Sequence, residues 1–187
     1  MSCYEKAETL AANEDPNGRD RSVGLDGIGD VRVAQGDLAG ALAAFEEGLE
    51  IRQGLLSRDP GNVGWSRDVS VSLNKVGDVR VAQGDLGGAL AAFEECLEIA
   101  RDLLSRDPGN AGWLRDVVVS YWKMAGADPG NAAAHWGEVV SRLEDMVARG
   151  ILFPRDAHLL DVAREQLAAQ QSSRKRARPW WRALWRA

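Results

Sequence analysis

The sequence predicts an all-α fold, a solenoid of helical hairpins, and three observations predict it. First, the chain repeats itself: residues 29–38 and 77–86 are identical (GDVRVAQGDL), as are 40–47 and 88–95 (GALAAFEE) and 55–62 and 103–110 (LLSRDPGN). The period, from Gly29 to Gly77, is 48 residues, and a fixed period of about 20–50 residues marks a stacked array. Second, each copy is helical twice over. A run containing Leu73, Val76 and Val79 leads into a longer one in which Leu86, Ala89, Leu90, Phe93, Cys96, Leu97, Ala100, Leu103 and Leu104 recur at i, i+3, i+4 and i+7, the apolar stripe of a helix. Third, the joints carry turn chemistry. Gly84 and Gly36 stop a first helix, and Asp85 and Asp37 are placed to cap the second by accepting from its free N–H groups. Asp-Pro-Gly-Asn then turns the chain, because Pro fixes φ, Gly permits positive φ and Asn caps the next helix.

Taken in order, residues 1–18 form a partial repeat. Tyr4 to Ala12 resembles the end of a second helix, and Asp15-Pro16-Asn17 a shortened turn, so the array starts in mid-unit. Either a short helix closes the first hairpin or the chain continues a longer array. The first full repeat is 19–62 and the second 63–110, with Trp65 and Trp113 in matching places where a large ring wedges neighbouring hairpins. Residues 111–171 begin as a third repeat and break after Met124, because Ala127-Asp128-Pro129-Gly130-Asn131 arrives early. A helix over 132–149 is expected to turn Val139, Val140, Leu143, Met146 and Val147 inward. Another over 155–170 turns in Leu159, Leu160, Ala163 and Leu167, with Gly150 and Pro154 between the two and Asp156 as a cap. Terminal repeats must close the exposed seam and are atypical, which makes this region an irregular helical cap. Residues 172–187 are a basic, Trp-rich tail.

The repeat resembles the tetratricopeptide family. Its Trp-x2-Leu-Gly-x2-Tyr, Ala-x3-Phe and Pro pattern is similar to Leu73-x2-Val76-Gly77-x2-Arg80, Ala89-x3-Phe93 and Pro108, and in the first copy to Leu25-x2-Ile28-Gly29-x2-Arg32, Ala41-x3-Phe45 and Pro60. Small Gly77 and Ala89 let two helices approach, and Phe93 fills the gap between one hairpin and the next. Two features depart from the pattern: Leu and Arg replace the family's Trp and Tyr, and the period exceeds the usual ~34 residues by about two helical turns per helix. The resemblance covers about residues 4–126. It implies a non-catalytic scaffold or adaptor that holds a protein or peptide on the concave face of its first helices. Carried over by position, that face comprises Asp26, Asp30, Asn74, Asp78 and Trp122, with Val33 and Val81 between them. An acidic groove favours a basic ligand.

Composition limits the alternatives. At 187 residues one domain is expected. No run of about 18 apolar residues exists to span a bilayer, and the first residues lack the basic start and apolar run of a signal peptide, so a cytoplasmic location is expected. Cys3 and Cys96 have no metal-like spacing, and Cys96 falls on the packed stripe as a small core residue. His135 and His158 are isolated. Gly24, Gly27 and Gly29 lack the strand that a dinucleotide-binding glycine loop requires. No catalytic, cofactor or metal constellation emerges, and no enzymatic activity is expected.

The tail changes the charge balance. Residues 172–187 carry six basic residues and no acid, while the rest carries 17 basic and 28 acidic residues, a formal −11. Pro179 suits the first position of a helix. At 100° per residue Trp180, Trp181, Ala183, Leu184, Trp185 and Ala187 share a broad arc opposite Arg182 and Arg186. With Arg174, Lys175, Arg176 and Arg178 alongside, this tail is expected to interact: with the chain's own cap helices, with a protein groove, or with an anionic membrane surface. The acidic body repels a phosphate backbone, which puts nucleic acid last. Self-association through the tail of another copy and a role as regulatory fragment of a larger effector system are the remaining readings.

Overall fold

A computed structural model describes residues 18–176 of the protein. Seven α-helices stand among them: α1 (Arg19–Ala34), α2 (Leu38–Arg58), α3 (Val63–Gln83), α4 (Leu86–Arg106), α5 (Ala111–Ala127), α6 (Ala132–Ala148) and α7 (Leu159–Arg176), with a 3-10 turn at Pro154–Asp156 before α7. The fold is all-helical and sequentially packed. The expected extra length of each hairpin lies in its helices, since α2, α3 and α4 are 21 residues each. The chain divides into two compact units between Leu103 and Leu104, within α4.

In the first unit α1 packs on α2 and α2 on α3. The joints follow the turn chemistry. Gly36 and Gly84 are left-handed, at φ 77° and 81°, a conformation that L side chains avoid. Asp37 Oδ1 accepts from the Gly40 N–H and Asp85 Oδ1 from the Gly88 N–H, both at 2.9 Å. The arginines that stand in place of the family's Tyr clip the same joints: Arg32 Nη1 donates to the Gly40 carbonyl at 2.9 Å and Arg80 Nη1 to the Gly88 carbonyl at 3.2 Å. Arg80 also reaches Glu46 Oε1 of the preceding hairpin at 2.8 Å. Asn62 caps α3 by accepting from the Trp65 N–H at 3.1 Å, and the Arg19 guanidinium lies 5.2 Å from the Trp65 ring centroid, so this ring does bridge two hairpins.

The core of the first unit rests on a close approach made twice. A Cβ placed on Gly29 would stand 2.3 Å from Phe45 Cε1, and one on Gly77 2.3 Å from Phe93 Cε1. Each Phe therefore lies first on the glycine of its own hairpin. Phe45 then extends to Val76 and Val79 of the next hairpin, so it fills both gaps at once. Val69 and Leu73 of α3 pack with Ala92 and Cys96 of α4, with Leu49 and Leu56 of α2 against them. A buried charge accompanies this apolar seam. Arg52, 5% exposed, forks onto Asp26 (Nη1 to Oδ1 3.1 Å, Nη2 to Oδ2 2.8 Å) and also donates to Ser72 Oγ, tying α1, α2 and α3 together.

In the second unit α5 packs on α6 and α6 on α7. Asn110 caps α5 by accepting from Gly112 N (3.0 Å) and Trp113 N (3.2 Å). The register of 48 puts Ala125 where Gly29 and Gly77 stand and Ser141 where Phe45 and Phe93 stand, so the glycine–phenylalanine contact is not built here. Trp136 is buried here with its ring edge-on to Trp122 at 4.7 Å and 76°. Val139, Leu143 and Met146 are buried as expected, but Val140 is half-buried and Val147 half exposed, because at 100° per residue these two stand together at the edge of that stripe. Asp156 is not a helix cap. Its carboxylate accepts from Arg115 Nε at 2.6 Å, which orders the 3-10 turn and delays the start of α7 to Leu159. α7 also runs past the expected end at residue 170, and its Ser172 and Ser173 hydroxyls bond back to the carbonyls of Ala168 and Ala169. Residues 1–17 of the partial repeat and the tail from residue 177 on, with Arg178, Trp180, Trp181, Arg182, Trp185 and Arg186, lie outside the described residues.

Candidate functional site

A cleft of about 220 Å³ opens in the first unit between the first helices of its two hairpins, over the start of α2. Phe45 and Val79, both buried, are its floor; Leu38, Val33 and Ala82 line its sides; Asp30, Lys75 and Asp78 stand at its rim. The residues converge for a reason already in the repeat. Phe45 must reach Val79 to close the gap between hairpins, and the helices that flank the contact, α1 and α3, leave a trough above it. Lys75 Nζ meets Asp30 at 2.7 and 2.8 Å and lies 4.9 Å from the Phe45 ring centroid. An ion pair this open contributes about 0–1 kcal/mol, so its charges stay available to a ligand.

Each flanking helix carries a row at i, i+3, i+7 and i+10, Val23, Asp26, Asp30 and Val33 on α1 and Val71, Asn74, Asp78 and Val81 on α3, exposed except at the half-buried Asp26 and Asn74. All four valines are exposed. The structure brings Asp30 and Asp78 together at the cleft and gives the other predicted positions different surroundings. Asp26 is committed to Arg52. Asn74 donates to the Ser70 carbonyl at 3.0 Å, and its Oδ1 is buried without a donor among the described residues. The register explains that acceptor: where the first copy has Asp26 with Arg52, the second has Asn74 with Ala100, so both charges are lost together. Trp122 belongs to the second unit and packs on Trp136. Lys75, Phe45, Leu38, Val79 and Ala82 are site residues that sequence reasoning misses. Lys75 does leave a signal there, since its counterpart in the first copy is Gly27 and the two copies otherwise agree closely nearby.

At the level of the hairpin the family comparison is direct. Residues 69–108 match the model of the tetratricopeptide repeat, and they span α3 and α4. The chain carries a tetratricopeptide repeat. The first copy, α1 with α2, reproduces that hairpin down to its glycine–phenylalanine contact and its Asp cap. No curated protein matches the chain significantly. No helix among the described residues is long and apolar enough to cross a membrane.

Proposed function

We propose that this tetratricopeptide array is a non-catalytic scaffold that holds a peptide segment of another protein on its first-helix face, with the α1–α3 cleft as the anchoring point. The observation that supports it is the cleft's make-up, an apolar floor of Phe45 and Val79 ringed by Asp30, Lys75 and Asp78. That arrangement suits a side chain with an apolar body and a neighbouring charge, because a buried apolar anchor supplies affinity and rim charges supply orientation. Asp30, 62% exposed, keeps acceptor sites open beside Lys75 and favours a basic neighbour.

Display selection of random peptides against the full chain tests this. Enriched peptides should pair a large apolar residue with Lys or Arg, and Ala82→Arg, which adds bulk and like charge at the exposed lip, should weaken them about tenfold or more. Selected peptides that bind Ala82→Arg equally well would place recognition elsewhere.

A further inference from the structure

We infer that residues 177–187 of this chain, ARPWWRALWRA, are a ligand of the α1–α3 cleft; this rests on the cleft being a peptide site. The segment lies outside the described residues, and what joins it to the cleft is chemistry. The cleft calls for an apolar body beside a cation, since Phe45 and Val79 are its floor and the exposed carboxylate of Asp30 stands at its rim. The segment supplies that pair twice, as Trp181-Arg182 and Trp185-Arg186, and Trp followed directly by Arg occurs nowhere else in the sequence. Its three arginines meet no acid within the segment, while the residues before 172 carry a formal −11, so encounter with the array is attractive. A space of about 220 Å³ takes one large ring, which fits a single Trp anchor rather than all three. Lys75 does not close the rim against arginine. Asp30 is 62% exposed, and a carboxylate's two oxygens offer about four acceptor sites, leaving room for a guanidinium beside the ammonium.

The test uses a fluorescein-labelled peptide of residues 177–187 and the full chain carrying Trp180→Ala, Trp181→Ala and Trp185→Ala, so that its own segment does not compete. Anisotropy at low salt should show saturable binding. Ala82→Arg should weaken it about tenfold or more, Asp30→Asn with Asp78→Asn should weaken it severalfold, and raised salt should weaken it as well. Asp30, Asp78 and Ala82 sit at exposed helical positions, and an unchanged denaturation midpoint confirms the fold of their variants. Absence of saturation, or equal affinity for Ala82→Arg, overturns the inference. A display-selected peptide titrated on the same proteins separates the two claims. If it binds and is lost with Ala82→Arg while the 177–187 peptide does not bind, the cleft remains a peptide site and only the self-ligand is wrong; if neither binds, both fail.

Discussion

The charged residue buried deepest in the first unit, Arg52, is where the two copies differ most tellingly. Its guanidinium is matched by Asp26 and Ser72, and removing one member of a buried pair leaves the other uncompensated, at about 3–5 kcal/mol. Arg52→Ala should therefore lower the urea midpoint severely, and adding Asp26→Asn should recover most of the loss, because that double variant reproduces the Asn74 and Ala100 of the second copy. A double variant as unstable as Arg52→Ala alone would show that Arg52 matters for packing rather than for charge. Glycines give a second contrast. Gly77→Ala would force a methyl into the Phe93 ring and should destabilise by about 1–3 kcal/mol. Gly27→Ala, in mid-helix with nothing within 4 Å of the new methyl, should stabilise by up to about 1 kcal/mol. Thermal melts of the two variants moving in the same direction would contradict the close approach.

At the scale of elements, the Asp-x-x-Asn turn is used three times, with Asn62, Asn110 and Asn131 each donating through Nδ2 to Asp59, Asp107 and Asp128. The third differs, since Asn131 makes no side-chain cap and His135 Nε2 lies 3.3 Å from Asp128 Oδ2. The Asn131 amide holds the Asp128 carboxyl below its ordinary range; burial opposes this, and the His135 ring adds to it. A carboxyl lowered in the folded state contributes stability above its unfolded pKa and loses it as pH falls through the folded value. Asp128→Asn should thus lower stability near neutrality and change it little at low pH, flattening the acid limb of the stability–pH curve, and an unchanged acid limb would sink the assignment. The hairpins themselves were legible in the sequence, because Gly36, Asp37 and Asn62 act through local geometry that residue type alone dictates. The degenerate third repeat was less so. Asp156 reads as a cap by position, yet its partner Arg115 lies 41 residues away, and a pairing across that separation leaves no local trace. The cleft was half legible: Asp30 and Asp78 follow from the repeat register, whereas Lys75 over Phe45 depends on how two hairpins stack.

At the scale of the molecule, near-identical copies mean that one hairpin's contacts are reused by the next, and stability follows from neighbour interfaces. Phe45→Ala should cost about 3–5 kcal/mol, since it empties both the contact on Gly29 and that on Val76 and Val79; a urea midpoint left in place would refute its double role. The same stacking generates the trough above Phe45, which ties the fold to its proposed use. The most direct measurement is therefore a map of ligand contact by backbone amide NMR, titrating a display-selected peptide into the full chain. The account predicts that the largest shift changes fall on Asp30, Val33, Lys75, Asp78 and Ala82 of α1 and α3. Changes gathered instead on the exposed side of the second helices, around Glu50, Gln53 and Glu98, would contradict it.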